Sequence, residues 1–102
     1  MYVEDTAKGL ILAAEKYDDE LPLNLGWSEE ISIMELTKLI CELLDYNGNI
    51  TWDKTKPNGQ PRRCISNLRA KEMIGFEATT KLKDGLKNTI EWFVENQEKI
   101  TN

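Results

Sequence analysis

A chain of 102 residues allows one small domain with a modest core. Its balance of 40% apolar and 30% charged residues is that of a folded segment, and a net charge of −5 argues against nucleic acid as the main partner. There is no histidine, which removes the usual general base and the common catalytic triads, and Cys41 and Cys64 lack metal-binding spacing and read as reduced thiols. No apolar run approaches the ~20 residues of a membrane span, and no secretory signal opens the chain, so the expected location is cytoplasmic.

Met1-Tyr2-Val3 reads as the end of a strand. Asp5 then caps a first helix whose apolar face is Ala7, Leu10, Ile11, Ala14 and Tyr17, and the solvated acidic turn Asp18-Asp19-Glu20 ends it. The alternation in Leu21-Pro22-Leu23-Asn24-Leu25 predicts a short strand, confined by Pro22 to a strand start or an edge. Ser32 and Glu35 form a capping box, with Ile31 and Leu36 at the positions of a hydrophobic staple. The helix they open carries Leu36, Leu39, Ile40, Leu43 and Leu44 as a core stripe, and Asn47-Gly48 is its expected stop. Ile50 and Trp52 alternate as a second strand. Ser66 or Asn67 opens a short helix that ends at Gly75. A last helix carries Leu82, Leu86, Ile90, Phe93 and Val94 inward and frays past Gln97, with Trp92 in core or interface packing. The expected fold class is therefore a small mixed α/β unit of about four helices and two to three short strands.

Charge is unevenly spread. Lys54, Lys56, Arg62, Arg63, Arg69 and Lys71 lie in a stretch with no acidic residue, so that stretch carries +6 and the remainder −11. Residues 54–61 form a loop, because Pro57, Gly59 and Pro61 bar regular structure. Guanidinium and ammonium groups converging on such a loop suit phosphate oxygens, and a diphosphate is the natural guest. A solvated basic loop is the plainer alternative, and Arg69 and Lys71, on a helix, read as solvated.

Trp52-Asp53-Lys54-Thr55-Lys56-Pro57-Asn58-Gly59-Gln60-Pro61-Arg62-Arg63 resembles the FD-x-[ST]-KPDG-x-PRK segment of the GDP-L-fucose synthases, which are extended short-chain dehydrogenase/reductases acting on nucleotide sugars. Tyr2-Val3-Glu4-Asp5 resembles that family's HVDD. Asn24-Leu25-Gly26 with Ile31 to Leu36 resembles its NVGTG and [ST]-I-x-E-L run. Leu68 to Phe76 resembles RLxxLGW, and Leu82 to Leu86 with Trp92-Phe93 resembles LxxGLxxTxxWF.

The resemblance implies a C-terminal substrate-binding region spanning 1–102, of which 1–20 is helix from the end of a dinucleotide-binding domain otherwise absent. It implies a nucleotide-diphosphate sugar, GDP-hexose, as ligand. The family's substrate-contacting positions fall on Asn58 and Arg63, with Lys56 and Arg62 beside them. Asn58 stands where the family has aspartate and Arg63 where it has lysine, while Trp27 and Ser28 replace Thr-Gly. The parent reaction would convert GDP-4-keto-6-deoxymannose to GDP-L-fucose with NADP or NAD. Such an enzyme needs a Gly-rich βα turn for the cofactor pyrophosphate and a Tyr-x-x-x-Lys pair. Neither occurs in these residues, since Thr6, Leu21 and Ile50 lie four positions beyond Tyr2, Tyr17 and Tyr46. The expectation is an enzyme fragment, inactive alone, holding no cofactor or metal itself, and self-associating as a homo-oligomer through faces left uncovered. The alternative is a stand-alone binding or assembly module, or a remnant, descended from such an enzyme.

Overall fold

The computed structural model describes residues 1–59 and 62–100. These form four helices: α1 (Val3–Lys16), α2 (Ile33–Leu43), α3 (Leu68–Ile74) and α4 (Leu82–Ile100). Among the described residues there is no strand, which corrects the expected α/β class.

The reason is visible at the first expected strand. Pro22 has no N–H to give a ladder. The groups around it are taken by side chains: the Tyr17 hydroxyl donates to the Leu21 carbonyl (2.5 Å), Arg69 Nη1 donates to the Pro22 carbonyl (3.1 Å), and the Leu21 N–H donates to Asp19 Oδ1 (2.9 Å). The period-2 pattern reports burial only in part: Leu23 and Leu25 pack against the core, with Trp27 beyond them, while Leu21 is exposed. It says nothing about whether a backbone partner exists. Ile50 and Trp52, the second expected strand, lie exposed in a segment that is open from Leu44 to Gly59.

Helix α1 begins at Val3, where a strand end was expected, and its orientation reverses the predicted face. Ala7, Leu10, Ile11 and Ala14 are exposed, while Asp5, Gly9, Leu12, Ala13 and Tyr17 turn inward. Gly9 explains the choice. A Cβ there would lie 2.9 Å from both Leu25 Cδ1 and Phe76 Cε2, so only glycine lets the helix approach so closely. The enclosed core is Ala70 and Ile74 of α3 with Phe76 and Ala78 just beyond it, and α1 packs across them.

Asp5 does not cap α1. It lies inside the helix, 1% exposed, and binds the approach to α4. Its Oδ2 accepts the Thr80 N–H at 3.0 Å and its Oδ1 the Thr79 hydroxyl at 3.5 Å. Burial alone raises this carboxyl, but the hydrogen bonds from the Thr80 backbone and side chain and the Thr79 backbone outweigh it and hold it below the usual carboxylate value. A sequence reading assigns an Asp near a helix start to that helix; here it serves another element 75 residues away.

The Ser32–Glu35 capping box is present in both directions. Helix α2 stops at Leu43, before Asn47-Gly48, and the chain turns instead at Asp45 with φ 52°. Its stripe, expected as core, rests on α4 with no residue fully buried, and Leu44 is exposed. Lys83 Nζ and Glu42 Oε1 join the two helices at 3.0 Å. Gly75 ends α3 in the left-handed region (φ 68°), as its position predicts. Asn67 precedes α3 but gives it no side-chain cap. Helix α4 does not fray past Gln97 but continues to Ile100. Leu82, Leu86 and Ile90 are half-buried, whereas Trp92, Phe93 and Val94 are exposed.

The chain is open for its size. It exposes 8691 Å², against about 5,900 Å² expected for a compact monomer of its mass. Its radius of gyration is 16.9 Å, against about 12.8 Å for a compact chain of this length.

Candidate functional site

The basic loop is entered through a turn that its own residues make. The Asp53 carboxylate accepts from the Thr55 hydroxyl (2.5 Å) and the Thr55 N–H (3.0 Å), and those two bonds hold it below the ordinary carboxyl value. Lys54 to Gly59 then project into solvent. Gln60 and Pro61 of the family-like run lie outside the described residues.

Beyond them the chain runs back along residues 26–30 in antiparallel sense, held by side chains. Asn67 Oδ1 accepts the Gly26 N–H at 2.8 Å, and Asn67 Nδ2 donates to the Gly26 carbonyl. Cys64 Sγ donates to the Ser28 carbonyl at 3.4 Å. Arg62 Nε donates to one oxygen of Glu30, while its Nη2 reaches the other at 3.3 Å. Gly26 is buried against Ile65, 2.9 Å from where a Cβ would stand, so this crossing leaves no room for a side chain. The family's second glycine is not required here, since Trp27 faces the core and Ser28 uses only its carbonyl.

Two of the clefts beside this crossing are bordered by Arg63. The larger, about 600 Å³, is lined among others by Leu25, Trp27, Glu30, Arg63, Ile65 and Leu82. The other, about 530 Å³, is lined by Glu30, Ile31, Ser32, Ile33, Glu35, Arg62 and Arg63. Arg63 borders both. Of the four expected ligand residues, Arg62 and Arg63 reach this place, and the exposed Lys56 and Asn58 line neither cleft. Arg62 is committed to Glu30, and each pushes the other's pKa toward its charged form, Arg62 above and Glu30 below its ordinary value, chiefly through their hydrogen bond. Glu35 is held low by the Ser32 backbone and then the Ser32 hydroxyl. Among the described residues Arg63 makes no ion pair.

Arg69, expected to be solvated, is a structural clamp. Its Nη2 donates to the Tyr17 hydroxyl (2.8 Å) and lies 3.6 Å from Asp19 Oδ2, and its guanidinium sits 5.7 Å from the Tyr17 ring centre. Glu30, Glu35 and Trp27 border the clefts without having been read as site residues. Their separation from Arg62 in sequence leaves no local signal for the encounter.

Among the described residues, no three His, Cys, Asp or Glu side chains gather as a metal centre requires, and no helix is long and apolar enough to cross a membrane. No family model matches the chain, and no solved structure matches it. Curated proteins do match, and they are synthases of a nucleotide sugar by name. "Probable GDP-L-fucose synthase 1" of Oryza sativa subsp. japonica is 34% identical over 94% of this chain and 29% of its own length. GDP-L-fucose synthase of Sinorhizobium fredii is 35% identical over 94% of this chain and 30% of its own length. GDP-L-fucose synthase of Dictyostelium discoideum is 30% identical over 96% and 31%. This chain is thus, along nearly its whole length, a relative of part of the GDP-L-fucose synthase family, and it spans about three-tenths of the curated relatives it matches.

Proposed function

We propose that this chain is the C-terminal nucleotide-sugar-binding portion of an epimerase/reductase of the GDP-L-fucose synthase kind, which turns GDP-4-keto-6-deoxymannose into GDP-L-fucose. The observation that carries the reading is the match to GDP-L-fucose synthases along 94% of the chain, with Arg62 and Arg63 of the basic run lining a cleft. Residues 1–102 act as one substrate-binding region, and 1–20 belong with a dinucleotide-binding domain outside them. The roughly 2,800 Å² by which the chain exceeds a compact monomer supports this, because a large partner body would cover it.

In this reading Arg63 meets the diphosphate with its planar fork, Arg62 adds a second guanidinium, and Lys56 and Asn58 close over the nucleotide from the exposed loop. Asn58 can donate as well as accept, which bears on the base it favours. The nicotinamide cofactor, NADP or NAD, supplies hydride in the parent enzyme. The proton-handling tyrosine and lysine belong to the rest of that enzyme, so these 102 residues bind without turning over.

Calorimetric titration with GDP tests the site. Arg63→Ala should weaken binding about tenfold or more, as expected for a charge-assisted hydrogen bond worth about 1.5–3 kcal/mol. Binding unchanged in Arg63→Ala rejects the assignment, and NADPH consumption by the chain alone rejects its description as a binding portion.

A further inference from the structure

The second cleft has four charged groups on its wall: Glu30, Glu35, Arg62 and Arg63. Their charges cancel. The lining carries no net charge to draw in an anion, although two arginines border it. The two carboxylates differ in what holds them. Glu35 is bound to the N-cap residue of its own helix, receiving the Ser32 N–H at 3.0 Å and the Ser32 hydroxyl at 2.8 Å. Removing its side chain would cost α2 the return half of its capping box, leaving the Glu35 N–H on the Ser32 hydroxyl. Glu30 is held by Arg62. Both members of that pair are largely open to water, with side-chain exposures of 47% for Glu30 and 73% for Arg62, so the pair opens at little cost.

The contact also has the form of a ligand contact. A guanidinium fork on two carboxylate oxygens is the arrangement it would make with two phosphate oxygens. We infer that Glu30 is a built-in competitor of the anion site: its carboxylate occupies Arg62, and a ligand phosphate takes Arg62 only by displacing it. This rests on the reading of Arg62 and Arg63 as phosphate-binding residues. Arg63 makes the first contact, and transfer of Arg62 from Glu30 to the ligand is the step that then frees a second guanidinium for the adjacent phosphate. The device favours ligands with two adjacent phosphates over those with one, because a single phosphate is satisfied by Arg63 without opening the pair.

Titration of the 102-residue chain with GDP, GMP and inorganic pyrophosphate decides this, with circular dichroism confirming equal helix content in each variant. Glu30→Gln should bind GDP and pyrophosphate about two- to fivefold more tightly than the parent, the range open to an exposed ion pair, with a smaller gain for GMP. The gain should vanish in Glu30→Gln with Arg62→Ala. Carboxyl carbon NMR of Glu30 should show its pKa rising toward the ordinary value when GDP is bound. Equal or weaker binding by Glu30→Gln, with Arg63→Ala still impaired, overturns the competitor and leaves the Arg63 site standing. A gain that persists without Arg62 also overturns it, as a general field effect. Binding by neither the parent nor Glu30→Gln at millimolar GDP overturns both readings, whereas binding by Glu30→Gln alone supports the competitor.

Discussion

The two helix pairs of this molecule differ in how they meet. Helices α1 and α3 meet over a contact rich in small residues, with Gly9 close against Phe76 and Leu25 and Ala13 beside the core that holds Ala70, and there Ile74 and Phe76 are almost fully enclosed. Helix α2 rests on α4 with a longer and more regular leucine stripe, yet none of its residues is buried. Apolar content does not decide enclosure. Close approach does, and small residues at the contact permit it. A leucine stripe on a helix with one neighbour stays half-open whatever its periodicity.

The largest effect that would sharpen this contrast is loss of the central ring. Phe76→Ala should cost about 3–5 kcal/mol, enough to abolish cooperative unfolding in a chain with so small a core, while Leu39→Ala in α2 should cost about 1–2 kcal/mol. Urea titration followed by circular dichroism measures both. Equal losses would mean that the α2–α4 side is as well enclosed as the other.

Asp5 ties the two sides, since it lies on α1 and holds the approach to α4. Asp5→Ala leaves the Thr80 N–H without its carboxylate and should cost about 1–3 kcal/mol. The folded carboxyl lies below its unfolded value, so its contribution is complete above the unfolded value and is lost as pH falls through the folded one. The parent should therefore lose stability below about pH 4 faster than Asp5→Asn does, as thermal melts across that range would show. Parallel acid profiles would mean that Asp5 is not held in its charged form.

A smaller effect concerns the outward side of α1. Val3, Leu10 and Ile11 are 69%, 60% and 59% exposed, with Ala7 and Ala14 beside them at helical spacing. Such a stripe favours pairing of the isolated chain. Sedimentation equilibrium at micromolar concentration should find a dimer, and Leu10→Glu with Ile11→Glu should weaken it about tenfold, or about 1.4 kcal/mol. A parent chain sedimenting as a single species of 11.8 kDa would remove this expectation.

Local chemistry was legible in the sequence at some helix ends and not at others, since Asp5, Asn47-Gly48 and Asn67 do not play the local parts their positions suggest. The Ser32–Glu35 box, the Gly75 helix end and the order of the four helices follow from capping, left-handed backbone and apolar spacing. The family-like runs led to the relatives that the chain matches. Tertiary structure alone decided which side of α1 faces inward, because a helix with Leu10 and Ile11 on one side and Gly9 and Leu12 on the other offers two faces, and the partner's shape selects the one that approaches closer. It also decided that Leu21–Leu25 stays unpaired, since a ladder needs a second backbone and alternation does not supply one. The site divides in the same way. The basic run marked Arg62 and Arg63, but the encounter of Arg62 with Glu30 spans 32 residues and depends on the crossing at Gly26 and Asn67, a coincidence in space that no local pattern records.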